Sequence, residues 1–357
     1  MLRVAFLTDA PRVAGSEIWL LETLPHLTAY GIRPILYLPH NPKLRFLVQA
    51  LNEKGIPTTT YTRLKELVSS TQEAHVRVIQ AWFPSTYGLL AHISRPRSVF
   101  LHDQLEYHYP LGLKGLYRFV YRMTKARKVA LADRIFVGTH WAADYVRRHF
   151  GLEAHVIPVG VDPNRFHPPS PEERASLRRK LGLTRFTLLT PARFTPEKNQ
   201  LAIVLAALHV EADFLLAGEG TWAYPLRWLA QALRASNVRF LGNRNDIPEL
   251  YRAVDAVLFP TLADNPGLVI LEGMASGLPV IASAHPPQKE VLSPSEGILI
   301  EPSPRAIAEA VRWLMDNPLE AKRMGKNGRA RILKERTSAL SAKVLAQELE
   351  RLALQSS

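Results

Sequence analysis

Two carboxylates and two cations stand in this chain at spacings that suit a phosphate-bearing ligand. Asp264 and Glu272 are separated by Asn265-Pro266-Gly267-Leu268-Val269-Ile270-Leu271. Before them Ala256-Val257-Leu258-Phe259 is an apolar run that reads as a buried strand, and from Leu268 to Ser276-Gly277 the pattern is helical. Asp264-Asn265-Pro266 is a helix-start signal: a capping residue, with proline at or near the first helical position. The amides of Leu268 and Val269 open that helix, and its positive dipole end favours an anion. Gly267 lets a ligand approach the backbone. Helical side chains lean toward the N-terminus, so the Glu272 carboxylate approaches the mouth that Asp264 flanks from the loop. Upstream, in Pro191-Ala192-Arg193-Phe194-Thr195-Pro196-Glu197-Lys198-Asn199, Arg193 offers a bidentate fork for phosphate oxygens and Lys198 a mobile point charge. Two cations near a helix mouth neutralise a leaving diphosphate without a metal, and the chain has no D-x-D. Taken singly, each feature has an ordinary reading. An acid in a first turn suits the dipole, and loop cations form surface ion pairs, for example with Glu197.

Other segments add to this set. After the first strand, Ala14-Gly15-Ser16-Glu17 is a glycine turn opening a helix, and no G-x-G-x-x-G is present, which argues against a dinucleotide cofactor. His102 ends the run Val99-Phe100-Leu101 and is followed by Asp103. Leu216-Ala217-Gly218-Glu219-Gly220 is a turn after a strand, and Leu241 to Tyr251, with Arg244, is a turn leading into a helix.

Asp264 to Glu272, with Gly267 between them, resembles the E-x7-E motif of the family-4 retaining glycosyltransferases. Arg193 and Lys198 resemble that family's G-R-x-x-x-x-K segment, and Gly15 and Glu17 its G-G-x-E loop, with Ala14 in place of the first glycine. The resemblance runs from Arg3 to about Leu349 and is most specific between Phe186 and Ala282. It implies the GT-B fold: two Rossmann-like, doubly wound parallel-sheet domains facing a cleft. It implies that Asp264, one methylene shorter than the family's glutamate, contacts the donor sugar and that Glu272 contacts the ribose. It places His102 toward the donor sugar, the Gly218 turn near the donor, and the backbone around Arg244 at the base. The implied catalytic set is Asp264, Arg193, Lys198 and His102, and the implied donor-binding set is Gly15, Gly218, Arg244, Gly267, Leu268, Val269 and Glu272. The implied activity is retaining transfer of a hexose from a nucleoside diphosphate sugar to a hydroxyl acceptor, a glycan, a small molecule or a lipid-linked one. The setting is polysaccharide or cell-envelope synthesis, and no cofactor or metal is expected.

These segments need scaffolds, and the chain is long enough for two. At 357 residues, two domains are the natural expectation. Arg3–Thr8, Arg33–Leu38, Val76–Ala81, Ser98–Leu101, Arg134–Gly138 and His155–Pro158 read as strands separated by helical patterns. A second series reads Phe186–Thr190, Asp213–Ala217, Val238–Leu241, Ala256–Phe259, Val280–Ala282 and Ile298–Ile300. Strands alternating with helices imply parallel sheets, with ligands beyond the strands' carboxyl ends. The run Val156 to Phe166, then Pro168-Pro169-Ser170-Pro171, marks a boundary, giving domains 1–166 and 167–336. A helical tail, 337–357, is expected to pack back on the first domain.

The formal charge of +13 suggests an anionic partner, a nucleotide, a phospholipid surface or a nucleic acid. No nucleic-acid motif appears and the basic residues are spread along the chain, so a basic nucleic-acid-binding protein is the alternative held outside enzymology. A glycoside hydrolase using Asp264 and Glu272 as its acid pair is a second alternative, and a donor-binding protein without turnover is a third. There is no cysteine, so no disulfide frame and no cysteine metal site. Met1–Leu7 is too short for a signal-peptide core and no apolar run approaches a membrane span, which fits a cytoplasmic chain. The segment 111–132 interleaves Lys114, Arg118, Arg122, Lys125, Arg127 and Lys128 with apolar residues. It reads either as a basic amphipathic helix lying peripherally on an anionic membrane or as a solvated face packing by its apolar side.

Overall fold

The structure, a computed structural model, describes residues 1–103, 105 and 113–355. Leu111 and Gly112 of the basic segment, and Ser356 and Ser357 of the tail, lie outside the described residues. The chain divides into two compact units, Met1–Gly160 with Arg336–Ser357, and Val161–Glu335.

The first unit is built on β1 (Leu2–Thr8), β2 (Ile32–Pro39), β3 (Thr58–Tyr61), β4 (Val76–Gln80), β5 (Arg97–Leu101), β6 (Arg134–Val137) and β7 (His155–Val156). They form one seven-stranded sheet in the order β3-β2-β1-β4-β5-β6-β7, and its pairs are parallel. In β1 every residue from Val4 to Thr8 is buried, as a strand covered on both faces requires. Strand β3 has no counterpart in the sequence reading. Its Thr-Thr-Thr-Tyr run lies at the sheet's edge and only Tyr61 is buried, so it carries no apolar signal. The helix Ser338–Leu354 buries Leu345 and Leu349 in this unit, and Trp19 Nε1 donates to Ser341 Oγ at 3.4 Å. A β-carbon on Gly160 would lie 2.3 Å from the Thr337 carbonyl oxygen, so the returning chain rests directly on a residue with no side chain.

The second unit holds β8 (Thr187–Pro191), β9 (Asp213–Ala217), β10 (Val238–Gly242), β11 (Ala256–Phe259), β12 (Val280–Ser283) and β13 (Gly297–Ile300). These make a six-stranded sheet in the order β10-β9-β8-β11-β12-β13, again parallel. Its core joins Phe194, Ile203, Phe214, Leu258, Ile281 and Val311. Each sheet winds outward in both directions from adjacent central strands, β1 and β4 in the first and β8 and β11 in the second. Loops beyond the carboxyl ends of such a pair diverge and leave room for a ligand.

Candidate active site

In the second unit the Arg193–Lys198 loop follows β8, and the loop carrying Asp264 follows β11. The two are stitched together by backbone and side chain. Leu262 N–H and Thr261 Oγ1 donate to the Glu197 carbonyl at 2.7 and 3.0 Å, and Asn199 Nδ2 donates to the Pro260 carbonyl at 3.0 Å. Lys198, buried, donates through Nζ to Asp264 Oδ2. The other Asp264 oxygen, Oδ1, accepts the Asn265 amide at 2.9 Å. Arg193 Nη2 stands 3.8 Å from Glu197 Oε1, and Gln200 Nε2 donates to the Arg193 carbonyl at 2.6 Å. The glycine turn after β9 closes under this loop. Gly218 has φ +140°, and a β-carbon there would lie 2.3 Å from the Ala192 carbonyl oxygen. Any side chain at Gly218 would push the Arg193 loop off its support.

The helix expected from Leu268 begins there, but its cap is not the residue that the Asp264-Asn265-Pro266 signal suggests. It spans Leu268–Ala275 with Gly267 as its N-cap at φ +100°. Asp264 therefore stays in the loop, and Pro266 precedes the cap instead of sitting at the first helical position. The reason is local: Gly267 turns the chain through a conformation closed to other residues, and its space is filled by Phe259, whose ring would lie 2.6 Å from an added β-carbon. The first amides of a helix have no intrahelical partner, and here they belong to Leu268 and Val269, both partly exposed. Gln288, fully buried, fixes the loop by donating from Nε2 to the Pro266 carbonyl at 2.9 Å and the Asp264 carbonyl at 3.3 Å.

Glu272 accepts a hydrogen bond from the Tyr251 hydroxyl at 2.7 Å, and the same hydroxyl lies 3.4 Å from the Val269 carbonyl. The carboxylate has thus leaned back one turn toward the helix start, as helical side chains do. Burial raises the Glu272 carboxyl above its ordinary value, opposed by the Tyr251 bond and the Arg165 charge. Arg244 forms a fork-to-fork pair with Asp246, Nε to Oδ1 at 2.7 Å, and the bond to Arg244 holds Asp246 below the usual carboxylate range. Tyr251, Asp246 and Gln288 were not among the sequence-derived site residues. The first two lie inside the Leu241–Tyr251 segment, but nothing in the sequence joins Tyr251 to Glu272, or Gln288 to the loop at 264–266.

In the first unit the corresponding strand ends gather Gly15, Glu17, Gln80 and His102. Gly15 opens the helix Gly15–Leu27 and is exposed. Ala14, which departs from the family pattern, has φ −146°, an extended backbone open to any residue. Glu17 is fully buried and accepts from Ala14 N–H at 3.1 Å, Ser16 Oγ at 3.0 Å and Trp82 Nε1 at 3.2 Å. Burial pushes its carboxyl up to about 7 in spite of those donors. Asp9 clamps the neighbouring loop, accepting the Trp82 and Phe83 amides at 2.6 and 3.1 Å. His102 stacks on Phe100 with ring centroids 4.3 Å apart, and its Nε2 meets Gln80 Oε1 at 2.8 Å. Burial brings the imidazole down to about 3, so it is neutral at physiological pH.

The basic segment is helical over Leu113–Tyr121, passes through a wider π turn at Arg122–Ala126 and ends at Val129. Lys125 is turned inward, with Nζ 2.6 Å from Asp103 Oδ1, while the Tyr121 hydroxyl donates to Asp103 Oδ2 at 2.7 Å. With that side tied down, Leu116, Phe119, Val120 and Met123 are left 61%, 63%, 47% and 44% exposed. Tyr121, Ala126 and Val129 pack inward, as the solvated-face reading expects, while this second apolar stripe faces outward. Among the described residues no three His, Asp or Glu side chains gather as a metal site would need, and no helix is long and apolar enough to cross a membrane.

Comparison with known proteins covers both units. Residues 173–331 match the model of the Glycosyl transferases group 1, and residues 13–165 that of Glycosyltransferase Family 4. The GDP-mannose-dependent monoacylated alpha-(1-6)-phosphatidylinositol monomannoside mannosyltransferase of Corynebacterium glutamicum is 32% identical over 193 residues, 49% of this chain and 50% of that protein. The chain therefore spans about half the length of that relative. The D-rhamnosyltransferase WbpZ of Pseudomonas aeruginosa is 26% identical over 82% of this chain and 79% of that protein. The crystal structure of Anabaena HepE in complex with UDP and glucose has a TM-score of 0.85 at 21% identity, covering 98% of this chain and 100% of that one. That likeness, with the two doubly wound sheets, establishes the GT-B fold.

Proposed function

We propose that the chain, which has the GT-B fold, is a glycosyltransferase of the family-4 type, a retaining hexosyltransferase that works without a metal. It moves a sugar from a nucleoside diphosphate sugar to a hydroxyl acceptor. The observation that carries this reading is the junction of the Arg193–Lys198 loop with Asp264, beside the helix start at Leu268. Cations, free amides and a carboxylate stand together there, which is what a diphosphate joined to a sugar requires.

Breaking the glycosidic bond leaves its electron pair on the diphosphate oxygen. Arg193, Lys198 and the Leu268 and Val269 amides hold that charge in a preorganised site. Lys198 has three donors, so it can keep Asp264 while adding a phosphate oxygen. Asp264 then faces the sugar, where positive charge grows. The acceptor hydroxyl attacks from the face that the diphosphate leaves, a phosphate oxygen takes its proton, and the anomeric configuration is kept. Glu272, oriented by Tyr251, receives the ribose hydroxyls, while Gly218, Arg244 and Gly267 serve the nucleotide. His102 and Gly15 are the first unit's substrate-facing residues in this reading. The test is a screen of UDP- and GDP-sugars with hydroxyl acceptors in excess EDTA. Acceptor-dependent release of nucleoside diphosphate is expected to persist. Abolition by EDTA with rescue by magnesium or manganese contradicts the metal-free mechanism, and binding without release makes the chain a donor-binding protein.

The acceptor in this reading is lipid-linked, and the first unit meets an anionic lipid surface. The support is the exposed stripe Leu116, Phe119, Val120 and Met123, at helical spacing, with exposed Arg122 and Arg127 on the same segment. Apolar side chains flanked by arginines suit a headgroup layer. The Corynebacterium relative is named for a phosphatidylinositol-linked acceptor. The protein is expected to sediment with anionic liposomes at low salt, to be released by added salt, and to lose sedimentation on Phe119→Ser with Met123→Ser. Equal sedimentation with neutral and anionic liposomes contradicts the docking.

A further inference from the structure

Three groups at the carboxyl edge of the first sheet form a short chain of hydrogen bonds. Gln80, at the end of β4 and 3% exposed, donates from Nε2 to the Ser16 carbonyl at 3.0 Å. Its Oε1 stands 2.8 Å from Nε2 of His102, just after β5. Ser16 lies in the first turn of the helix that Gly15 opens. The glycine turn and the histidine, distant in sequence, are therefore joined through one amide side chain.

The direction of these bonds is fixed by chemistry. A backbone carbonyl only accepts, so the amide nitrogen of Gln80 must face Ser16 and its oxygen must face the ring. An amide oxygen also only accepts, so the ring nitrogen opposite it must carry the hydrogen. Nδ1 is then the nitrogen with the lone pair, and it meets no hydrogen-bond partner among the described residues. Stacking on Phe100 and a tilted contact with Trp19, at 5.1 Å between centroids, keep the ring from turning over.

We infer that Gln80 is a positioning residue: held by the Ser16 carbonyl, it fixes His102 as the Nε2–H tautomer and leaves Nδ1 to accept a hydrogen bond from a substrate hydroxyl. A neutral ring with one defined acceptor orients a hydroxyl without adding a positive charge beside it. The role of Gln80 on the ring stands on the first unit alone. The substrate hydroxyl rests on the transferase reading.

The experiment labels the histidines of the full chain with 15N and reads two- and three-bond proton–nitrogen correlations at neutral pH, without substrate. A His102→Gln spectrum identifies the His102 signals. The wild type is expected to show a single Nε2–H tautomer. Gln80→Met, similar in volume but at most a weak acceptor, is expected to give a mixture. A wild-type mixture, an Nδ1–H form, or an unchanged single tautomer in Gln80→Met overturns the inference. The wild-type spectrum decides it even where the methionine variant fails to fold. On the same proteins, Gln80→Met is expected to lower kcat/KM with UDP-glucose or GDP-mannose about three- to tenfold, the worth of one neutral hydrogen bond, while UDP and GDP affinities stay unchanged. Unchanged transfer removes the substrate hydroxyl from the inference. Tautomers that behave as expected in a chain that transfers no sugar from any donor overturn the transferase reading and leave the role of Gln80 on the ring in place.

Discussion

Asp264→Asn is expected to lower turnover by roughly ten- to a thousandfold, the usual cost of one lost charge-stabilising contact, while leaving affinity for the nucleoside diphosphate nearly unchanged. Asp264 meets the sugar in the proposed mechanism, so its charge matters where the anomeric carbon becomes positive. The structure adds a second consequence. Asp264 also holds the Lys198 ammonium, and asparagine keeps an oxygen for that bond but not the charge. Lys198 is then freer for phosphate, so nucleoside diphosphate affinity is expected to hold or to rise. Glu272→Gln should behave in the opposite way. Its partner is the Tyr251 hydroxyl, and its ligand is the unreactive ribose, bound alike in ground and transition states. Donor and free nucleoside diphosphate should weaken together, with turnover at saturation little changed. Asp264→Glu restores the length usual in the family, and retained activity would show that the Lys198 junction tolerates it. Calorimetry with UDP and GDP and transfer kinetics on the same variants separate these cases. Loss of nucleoside diphosphate binding in Asp264→Asn, with binding intact in Glu272→Gln, would reverse the two assignments.

Gly267→Ala is expected to destabilise the second unit and to abolish transfer. The backbone there has φ +100°, which alone costs roughly 1–3 kcal/mol for a residue with a side chain. The added methyl also meets the Phe259 ring at 2.6 Å in a packed core, so the ring or the loop must move. Either shift displaces the Leu268 and Val269 amides from the Asp264 loop. Thermal denaturation should show a lower midpoint. Unchanged stability together with full activity would mean that the tight turn plays no part in forming the mouth. Gly31→Ala is a suitable control, since Gly31 also has a positive φ, +71°, but meets nothing within 4 Å. It carries the strain without the collision and lies in the other unit.

Much of this was legible in the sequence because buried parallel strands are continuous apolar runs. Val4 to Leu7 and Ala256 to Phe259 announce themselves in that way. The edge strand β3 did not, since three of its four residues are threonines left unburied. The motif residues were picked out by type and spacing, but the side chains that they bond to were not. The Lys198–Asp264 bond crosses 66 positions and the Gln80–His102 bond crosses 22, and no periodicity links such pairs. The helix start at Leu268 was legible but its cap was not, because the side chain of Asp264 is taken up by Lys198 and the Asn265 amide and Gly267 stands at the N-cap. The basic segment shows a different limit. A stripe at 116, 119, 120 and 123 has the same spacing whether it faces inward or outward. Only the bonds of Lys125 and Tyr121 to Asp103 decide which side is buried.

The central claim is that the loops after β8 and β11, with the helix start at Leu268, hold a nucleoside diphosphate by fixed positive charge. Titration calorimetry of UDP and GDP, in EDTA, into the full chain and into its folded Arg193→Ala, Lys198→Ala variant tests it most directly. Saturable binding of one of the two nucleotides by the wild type, weakened at least about tenfold in the variant as lost charge-assisted bonds to phosphate require, is the predicted result. Binding of equal strength in both proteins, or binding by neither, would contradict it.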